Sequence, residues 1–531
     1  MSRFLTLFLL LILPMASVRP ADAERSGIRG TFFDLISDPW KESADLKDEA
    51  VAARFVTDGL LVIENGKILA FGKFSQVAPK YPDLQITEIK DRLITPGFID
   101  GHTHFPQTRV IGAYGKHLLE WLNDYIFPEE ARYFDPHYAR VGATKFVRDC
   151  LASGTTTFQA FTTTREVTTI ALFEESKKYN MRVIAGITGI DRNAPDYYRD
   201  TPQSFYDRSK KMIARYHGKD RLLYAITPRF AFGSSDDQLA MCQRLKKEHP
   251  DCWVNTHMSE TIAETEGVLR YFPDCLDYLA VYEKYDLVGP KFSAGHSIWM
   301  SESAFQRLHD KGGCAVFCPC SNLWLGSGLF QLGNATNPRR PIRISIGTDI
   351  GAGNTCSLLR VMNDCYKVGM LNNSVYSGIH SPADLDPKRA ERNKVSPYRA
   401  FYLATLGGAR ALYLDEWLGN FEVGKEADFV VIDFQSGPAE QTWLMSRSNM
   451  ASQGEPGAPP TAKQIQGRPF PTTKDECAAA LLALIAVGDS RSVEETWVFG
   501  QKVYDRDASL TKTDFTTKAA SGDEENASPQ R

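Results

Sequence analysis

Apolar residues recur along the middle of the chain in short runs, and stretches with helical spacing separate most of them. Eight runs stand out, at 94–104, 155–161, 182–188, 222–230, 253–260, 291–299, 315–322 and 342–349. Between them, 167–179, 236–249 and 301–312 place apolar residues three and four apart, the spacing of one helix face. Strands that alternate with helices predict a parallel sheet. Eight such units over roughly 250 residues or slightly more predict a (β/α)8 barrel of the TIM type, here spanning 96–412.

The two ends read differently. Residues 26–95 are strand-like, and Leu60-Leu-Val-Ile-Glu-Asn-Gly-Lys-Ile-Leu-Ala70 sets branched apolar residues around an Asn65-Gly66 turn, a strong hairpin signal. The pattern returns at Ala427-Asp-Phe-Val-Val-Ile-Asp433 and at Glu494-Glu-Thr-Trp-Val-Phe-Gly-Gln-Lys-Val-Tyr504. These ends, 26–95 and 413–509, are expected to pack together as one small β-sandwich domain. Residues 434–475 break the pattern with the turn-rich Gly454-Glu-Pro-Gly-Ala-Pro-Pro460 and read as an irregular insertion. The Ser-, Ala-, Asp- and Glu-rich 510–531 read as a disordered tail.

Length and composition fit a soluble globular protein with a sizeable core. A net charge of −4 and the lack of a basic run argue against a nucleic-acid partner. Ten cysteines are scattered from Cys150 to Cys477 and read as free thiols; Cys318-Pro-Cys320 lacks the spacing of a zinc knuckle. At the N-terminus, Arg3, an apolar run over 4–18 and Ala21-Asp-Ala23 have the form of a secretory signal, too short for a membrane span. Residues 1–24 therefore read as a signal peptide or an N-terminal extension. Scattered thiols instead favour a reducing compartment, so export stays an open alternative to a cytoplasmic location.

Several predicted strands end in residues that can do chemistry. The first ends Asp100-Gly-His-Thr-His104, the fifth passes His257 to Glu260, the sixth ends at His296 and the eighth at Asp349. Positions two apart on a strand face the same way, so His102 and His104 point together into the barrel mouth. In a barrel the C-terminal strand ends form the active-site face. Four histidines and two carboxylates thus converge on one rim. Imidazoles with one carboxylate suit Zn²⁺ and also Fe²⁺. Such a metal lowers the pKa of a bound water to roughly 7, and the remaining carboxylate is free to shuttle protons. No motif surrounds His117, His137, His217, His249, His309 or His380, and these read as ordinary core or surface residues.

With Thr95-Pro-Gly-Phe-Ile-Asp-Gly-His-Thr-His104, His257, His296, Asp349 and Gly419-Asn-Phe-Glu-Val-Gly-Lys-Glu-Ala-Asp-Phe-Val-Val-Ile-Asp433, the chain resembles the amidohydrolase superfamily. Its fourth strand ends Thr227-Pro-Arg-Phe230 without the lysine that bridges two metals in some members, so the resemblance implies one metal. From about residue 26 to about 506 the chain more closely resembles the guanine deaminase family. That likeness is carried by His102-Thr-His-Phe-Pro-Gln107, Leu119-Glu-Trp-Leu-Asn-Asp-Tyr-Ile-Phe-Pro128, Ile226-Thr-Pro-Arg-Phe230, Thr256-His-Met-Ser-Glu260, Cys318-Pro-Cys-Ser-Asn-Leu-Trp-Leu-Gly-Ser-Gly328, Gly347-Thr-Asp-Ile-Gly-Ala-Gly353 and Ala404-Thr-Leu-Gly-Gly408.

The resemblance implies hydrolysis of guanine at C2 to xanthine and ammonia, one zinc per subunit, a cytosolic location and a homodimer. His102, His104, His257 and Asp349 would bind the metal. Glu260 would protonate the purine ring and help the amine leave, Asp349 would take the proton of the attacking water, and His296 would orient that water or the intermediate. Gln107, Arg229 and Phe230 would contact the base, beside His104, His257, Glu260 and Asp349. An arginine is a donor-only fork that suits the ring oxygen of guanine and opposes the amine of adenine. The alternatives are another ring aminohydrolase, acting on a triazine, a pterin or another purine, and a non-catalytic scaffold of the same fold.

Overall fold

The hairpin at Asn65-Gly66 forms because both turn residues adopt left-handed backbone, with φ of 52° and 77°, as a two-residue turn between twisted strands requires. It joins β2 (Ala53–Glu64) to β3 (Lys67–Lys73), and β1 (Arg25–Leu35) pairs with β2 on the other side. The structure, a computed structural model, describes residues 25–42, 46–114, 117–374, 386–436 and 470–511. The expected segment 1–24 lies outside the described residues, as do 437–469 of the expected insertion and 512–531 of the expected tail. Where the insertion was expected to end, the chain enters a helix, Lys474–Val487.

The chain's two ends share one mixed sheet. Strand β4 (Gln85–Pro96) lies between β1 and a strand from near the C-terminus, Phe429–Ile432, which is followed by strands Val493–Val498 and Gln501–Asp505. The expected sandwich is thus built from a seven-stranded sheet that curls back on itself. Its rim closes where Ile68 N–H donates to the Lys425 carbonyl and Gly424 N–H to that of Ile68, both at 2.8 Å. Ile28, Phe32, Leu61, Ile94, Phe429 and Val431 fill the inside.

The first predicted run, 94–104, is shared between two sheets. Ile94–Pro96 stays in the small sheet, and β5 (Phe98–His104) opens the barrel. The chain changes sheet at Gly97, where a Cβ would lie 2.2 Å from Thr156 Oγ1, so only glycine fits. The barrel continues with β6 (Thr155–Phe161), β7 (Arg182–Gly186), the short β8 (Thr188–Gly189), β9 (Leu222–Pro228), β10 (Trp253–Met258), β11 (Phe292–His296), β12 (Cys314–Phe317) and β13 (Arg343–Ile346). All its ladders are parallel. Closure comes just past β13, where Asp349 N–H donates to the His102 carbonyl at 2.8 Å and His104 N–H to that of Ile350 at 3.0 Å.

The seventh predicted strand, 315–322, ends early. Residues Pro319–Trp324 are helical, because proline has no N–H for the ladder and suits a first helical turn. Asn322 therefore reaches the barrel mouth from a helix. At the opposite end of the barrel, buried Arg182 and Arg221 pair with Glu426, and Arg221 with Asp428 at 2.8 Å, pinning the small sheet to β7 and β9.

Candidate active site and metal centre

Four ligand atoms meet at the barrel mouth. His102 Nε2 lies 3.2 Å and His104 Nε2 3.1 Å from His257 Nε2. Asp349 Oδ1 lies 3.4 Å from His102 Nε2 and 3.3 Å from His104 Nε2. Ligands held about 2.0–2.1 Å from one ion at tetrahedral angles are about 3.3–3.4 Å apart, so these spacings fit a single shared metal. The tautomers agree. His257 Nδ1 lies 2.7 Å from the Arg229 carbonyl, which only accepts; Nδ1 therefore carries the proton and Nε2 turns a lone pair inward. Nδ1 of His102 and of His104 are buried and have no hydrogen-bond partner among the described residues.

Burial keeps the three imidazoles neutral, as ligation needs. It pushes His102 down to about 4 and lowers His104, while His257 falls well below its ordinary value. Burial by itself would raise Asp349, but the close His102 and His104 rings, together with His296, outweigh it and hold its carboxyl well below the usual range. The first ring also depends on Gly295, where a Cβ would stand 2.4 Å from His102 Cε1. Gly295→Ala is expected to weaken metal affinity by about 10–100-fold and stability by about 1–3 kcal/mol. Metal titration and thermal melting read these effects, and an unchanged metal affinity would show that the ring has room.

Glu260 follows β10 by two residues and is buried beside this cluster. Its Oε1 accepts from Ser327 Oγ at 2.9 Å, and Oε2 lies 3.5 Å from His296 Nε2. Burial, reinforced by Asp349 and Glu264 against the opposing pull of His296, pushes its carboxyl up to about 7. Glu264 fixes the backbone here. It accepts the Glu260 N–H at 3.0 Å and the Tyr278 hydroxyl at 2.6 Å. His296 gives its Nδ1 proton to Asn322 Oδ1 at 2.8 Å and aims Nε2 between Glu260 and Asp349 Oδ2, the latter at 3.6 Å. Burial works against charge on His296, but the two carboxylates outweigh it and raise its pKa. Ser259, His296 and Asp349 all sit at positive φ, backbone strain of the kind concentrated at functional sites.

The pocket beside these groups is lined by Gln107, Trp121, Leu122, Arg229, Phe230 and Leu325 as well. Every residue expected at the site thus reaches this pocket or the metal cluster. Gln107 is more engaged than expected of a base contact. Its Nε2 donates to Glu130 at 2.6 Å and its Oε1 accepts the Gly351 N–H at 3.0 Å, which leaves one amide proton for a ligand. Sequence reasoning missed Glu130, which pairs with Arg229 at 3.0 Å, Ser327, and Phe161, whose ring stacks on His104 at 4.6 Å. A buried arginine demands a counter-charge, but nothing local says which of 65 acidic residues supplies it. His217, Asp251 and Cys252 form a second close group. There His217 Nδ1 accepts the Tyr224 N–H at 2.9 Å, so Nε2 carries its proton toward Asp251 and has no lone pair for a metal. His380 lies outside the described residues.

The amidohydrolase family model matches residues 93–503. The guanine deaminase of Escherichia coli (strain K12) is 40% identical over 481 residues, covering 90% of this chain and 98% of that protein. The chain belongs to the guanine deaminase family. The crystal structure of guanine deaminase from Bradyrhizobium japonicum superposes with a TM-score of 0.85 at 55% identity, over 91% of this chain and 99% of that one. A guanine deaminase from C. acetobutylicum with guanine bound in its active site superposes at 0.74 and 25% identity, over 91% and 100% of the two chains. As a member of the guanine deaminase family the chain is a hydrolase acting on C–N bonds, in a wider family that depends on metals.

Proposed function

We propose that the protein hydrolyses guanine to xanthine and ammonia on one zinc ion per subunit. We further infer that it works in the cytosol as a homodimer. The carrying observation is a single buried pocket in which the metal cluster, Glu260 and the Arg229 guanidinium face one another. The relatives named above support the substrate. The resemblance to the family supports the homodimer, and ten free thiols suit a reducing compartment.

His102, His104, His257 and Asp349 would hold the metal, which when bound supplies the Lewis acidity that makes water acidic near neutral pH. The chain's own groups do the rest. Arg229 donates to the ring carbonyl oxygen, and Phe230 covers the base with an aromatic face. Glu260, whose burial raises its pKa to about 7 so that it can hold a proton near neutrality, gives that proton to the ring nitrogen beside C2 as water adds there. Asp349, steered by His296, takes the proton that the water loses. The C–O bond forms; as the C2–N bond breaks, the proton taken up by Asp349 passes to the amine, which leaves as ammonia, and the proton of the new hydroxyl returns to Glu260 as the C2 carbonyl forms.

Ultraviolet-monitored turnover of guanine, run beside a panel of pterins, triazines and other purines, tests the reading. Faster turnover of a panel member than of guanine would overturn it. Arg229→Ala is expected to cut kcat/KM for guanine by about 10²–10⁴-fold, since loss of a built hydrogen bond strands buried polar groups. Its metal content is expected to stay unchanged; equal loss of both would make Arg229 a structural residue.

A further inference from the structure

Arg229 has to recognise a neutral ring, yet a guanidinium in a dry pocket attracts anions. The groups behind it bear on this conflict. Glu130 sits on the helix Phe127–Arg132 and is fully buried. It does not line the pocket itself. Arg229 Nη1 donates to both of its oxygens, at 3.0 and 3.1 Å. Gln107 Nε2 donates to Oε1 at 2.6 Å, and the Tyr198 hydroxyl donates to Oε2. The carboxylate is therefore saturated by three donors from three separate stretches of chain. With Nη1 committed, Arg229 Nε and Nη2 have no protein acceptor among the described residues and remain for a ligand. Gln107 carries the same network to the metal side, because its Oε1 accepts the N–H of Gly351, two residues beyond Asp349.

We propose that Glu130 is a positioning residue that sets the charge class of the ligand: it aims the free edge of Arg229 at a ring carbonyl and cancels its charge, so that the pocket favours neutral guanine over anionic product. This rests on the guanine deaminase reading. Xanthine carries a second carbonyl beside a ring N–H and loses a proton more readily than guanine does. An uncompensated guanidinium would hold that anion and stall release; the Glu130 carboxylate repels it. The titrating group is the ligand. The charged and titratable groups facing the pair are Tyr198, His104, Asp349 and, behind Tyr198, Arg165.

The test uses metal-loaded full-length protein and the variants Glu130→Gln and Glu130→Asp. Guanine kinetics and inhibition by xanthine are measured at one pH below and one above the first ionisation of xanthine, with metal content beside them. Glu130→Gln keeps the shape and removes the charge. It is expected to retain metal, to raise KM for guanine about tenfold or more, and to tighten xanthine inhibition about tenfold, the latter only above the ionisation. Glu130→Asp keeps the charge and shortens the reach. It is expected to lose kcat/KM for guanine while its xanthine inhibition stays like wild type. An equal change in xanthine inhibition at both pH values, or none, overturns the proposal. Should Glu130→Gln fail to fold, Glu130→Asp still decides, since an unchanged kcat/KM for guanine overturns the proposal as well. Failure of the underlying reading shows separately, as wild-type protein that leaves guanine intact.

Discussion

Glu260→Gln is expected to keep its metal and lose turnover by roughly 10²–10⁴-fold, the usual worth of a positioned general acid and base. Glutamine has the same shape and can still accept from Ser327 Oγ, which now meets Oε1 at 2.9 Å, but it cannot give up and recover a proton. Glu260 is not among the metal cluster, so metal content separates a chemical loss from a structural one. Near-normal turnover would remove Glu260 from the acid–base role. The same variant makes a second prediction about stability. Burial raises the Glu260 carboxyl from 4.5 to about 7 in the metal-free protein, so the folded state binds this proton more tightly than the unfolded chain does. Its contribution is therefore fully present below about pH 4.5 and is lost as pH rises through about 7. Glutamine cannot ionise, and metal-free Glu260→Gln is expected to gain on wild type by at most about 3 kcal/mol at pH 8, with no such gain at pH 4. Thermal melts at the two pH values read the sign, and a loss of stability at pH 8 would contradict it.

Metal removal is the other large effect. Stripping the protein with a chelator is expected to cut guanine turnover at least about 10³-fold, since Lewis-acid stabilisation is worth several kcal/mol. Zinc added back is expected to restore it. Stability should follow. Without an ion, three imidazole nitrogens and the Asp349 carboxylate face one another at 3.1–3.4 Å inside a buried site. An ion that binds only the folded state adds about 4 kcal/mol at a thousandfold excess over its dissociation constant, so the melting temperature should drop on chelation and recover with zinc. Full turnover by protein shown to be metal-free would reduce the cluster to a structural feature.

The sequence by itself determined the barrel and the convergence of four histidines and two carboxylates on its rim, because these follow from the period of a strand and the order of the strands. A strand's period of two points His102 and His104 the same way, and the barrel rule puts His257, His296 and Asp349 on the same rim. The hairpin at Asn65-Gly66 was likewise written in two adjacent residues. Only the tertiary structure decided how the ends of those strands are used. It divided the first run at Gly97, because Thr156 from another strand leaves no room for a Cβ. It moved Asn322 onto a helix, where it still reaches His296. It also joined Arg229 to Glu130, 99 residues away in the chain, and Ser327 to Glu260, 67 residues away. Residue spacing reports which way a side chain leaves its own strand or helix. The partner it meets depends on which loops fold over the barrel mouth. There a buried charge must find its counter-charge or be costly, and no local pattern encodes that pairing.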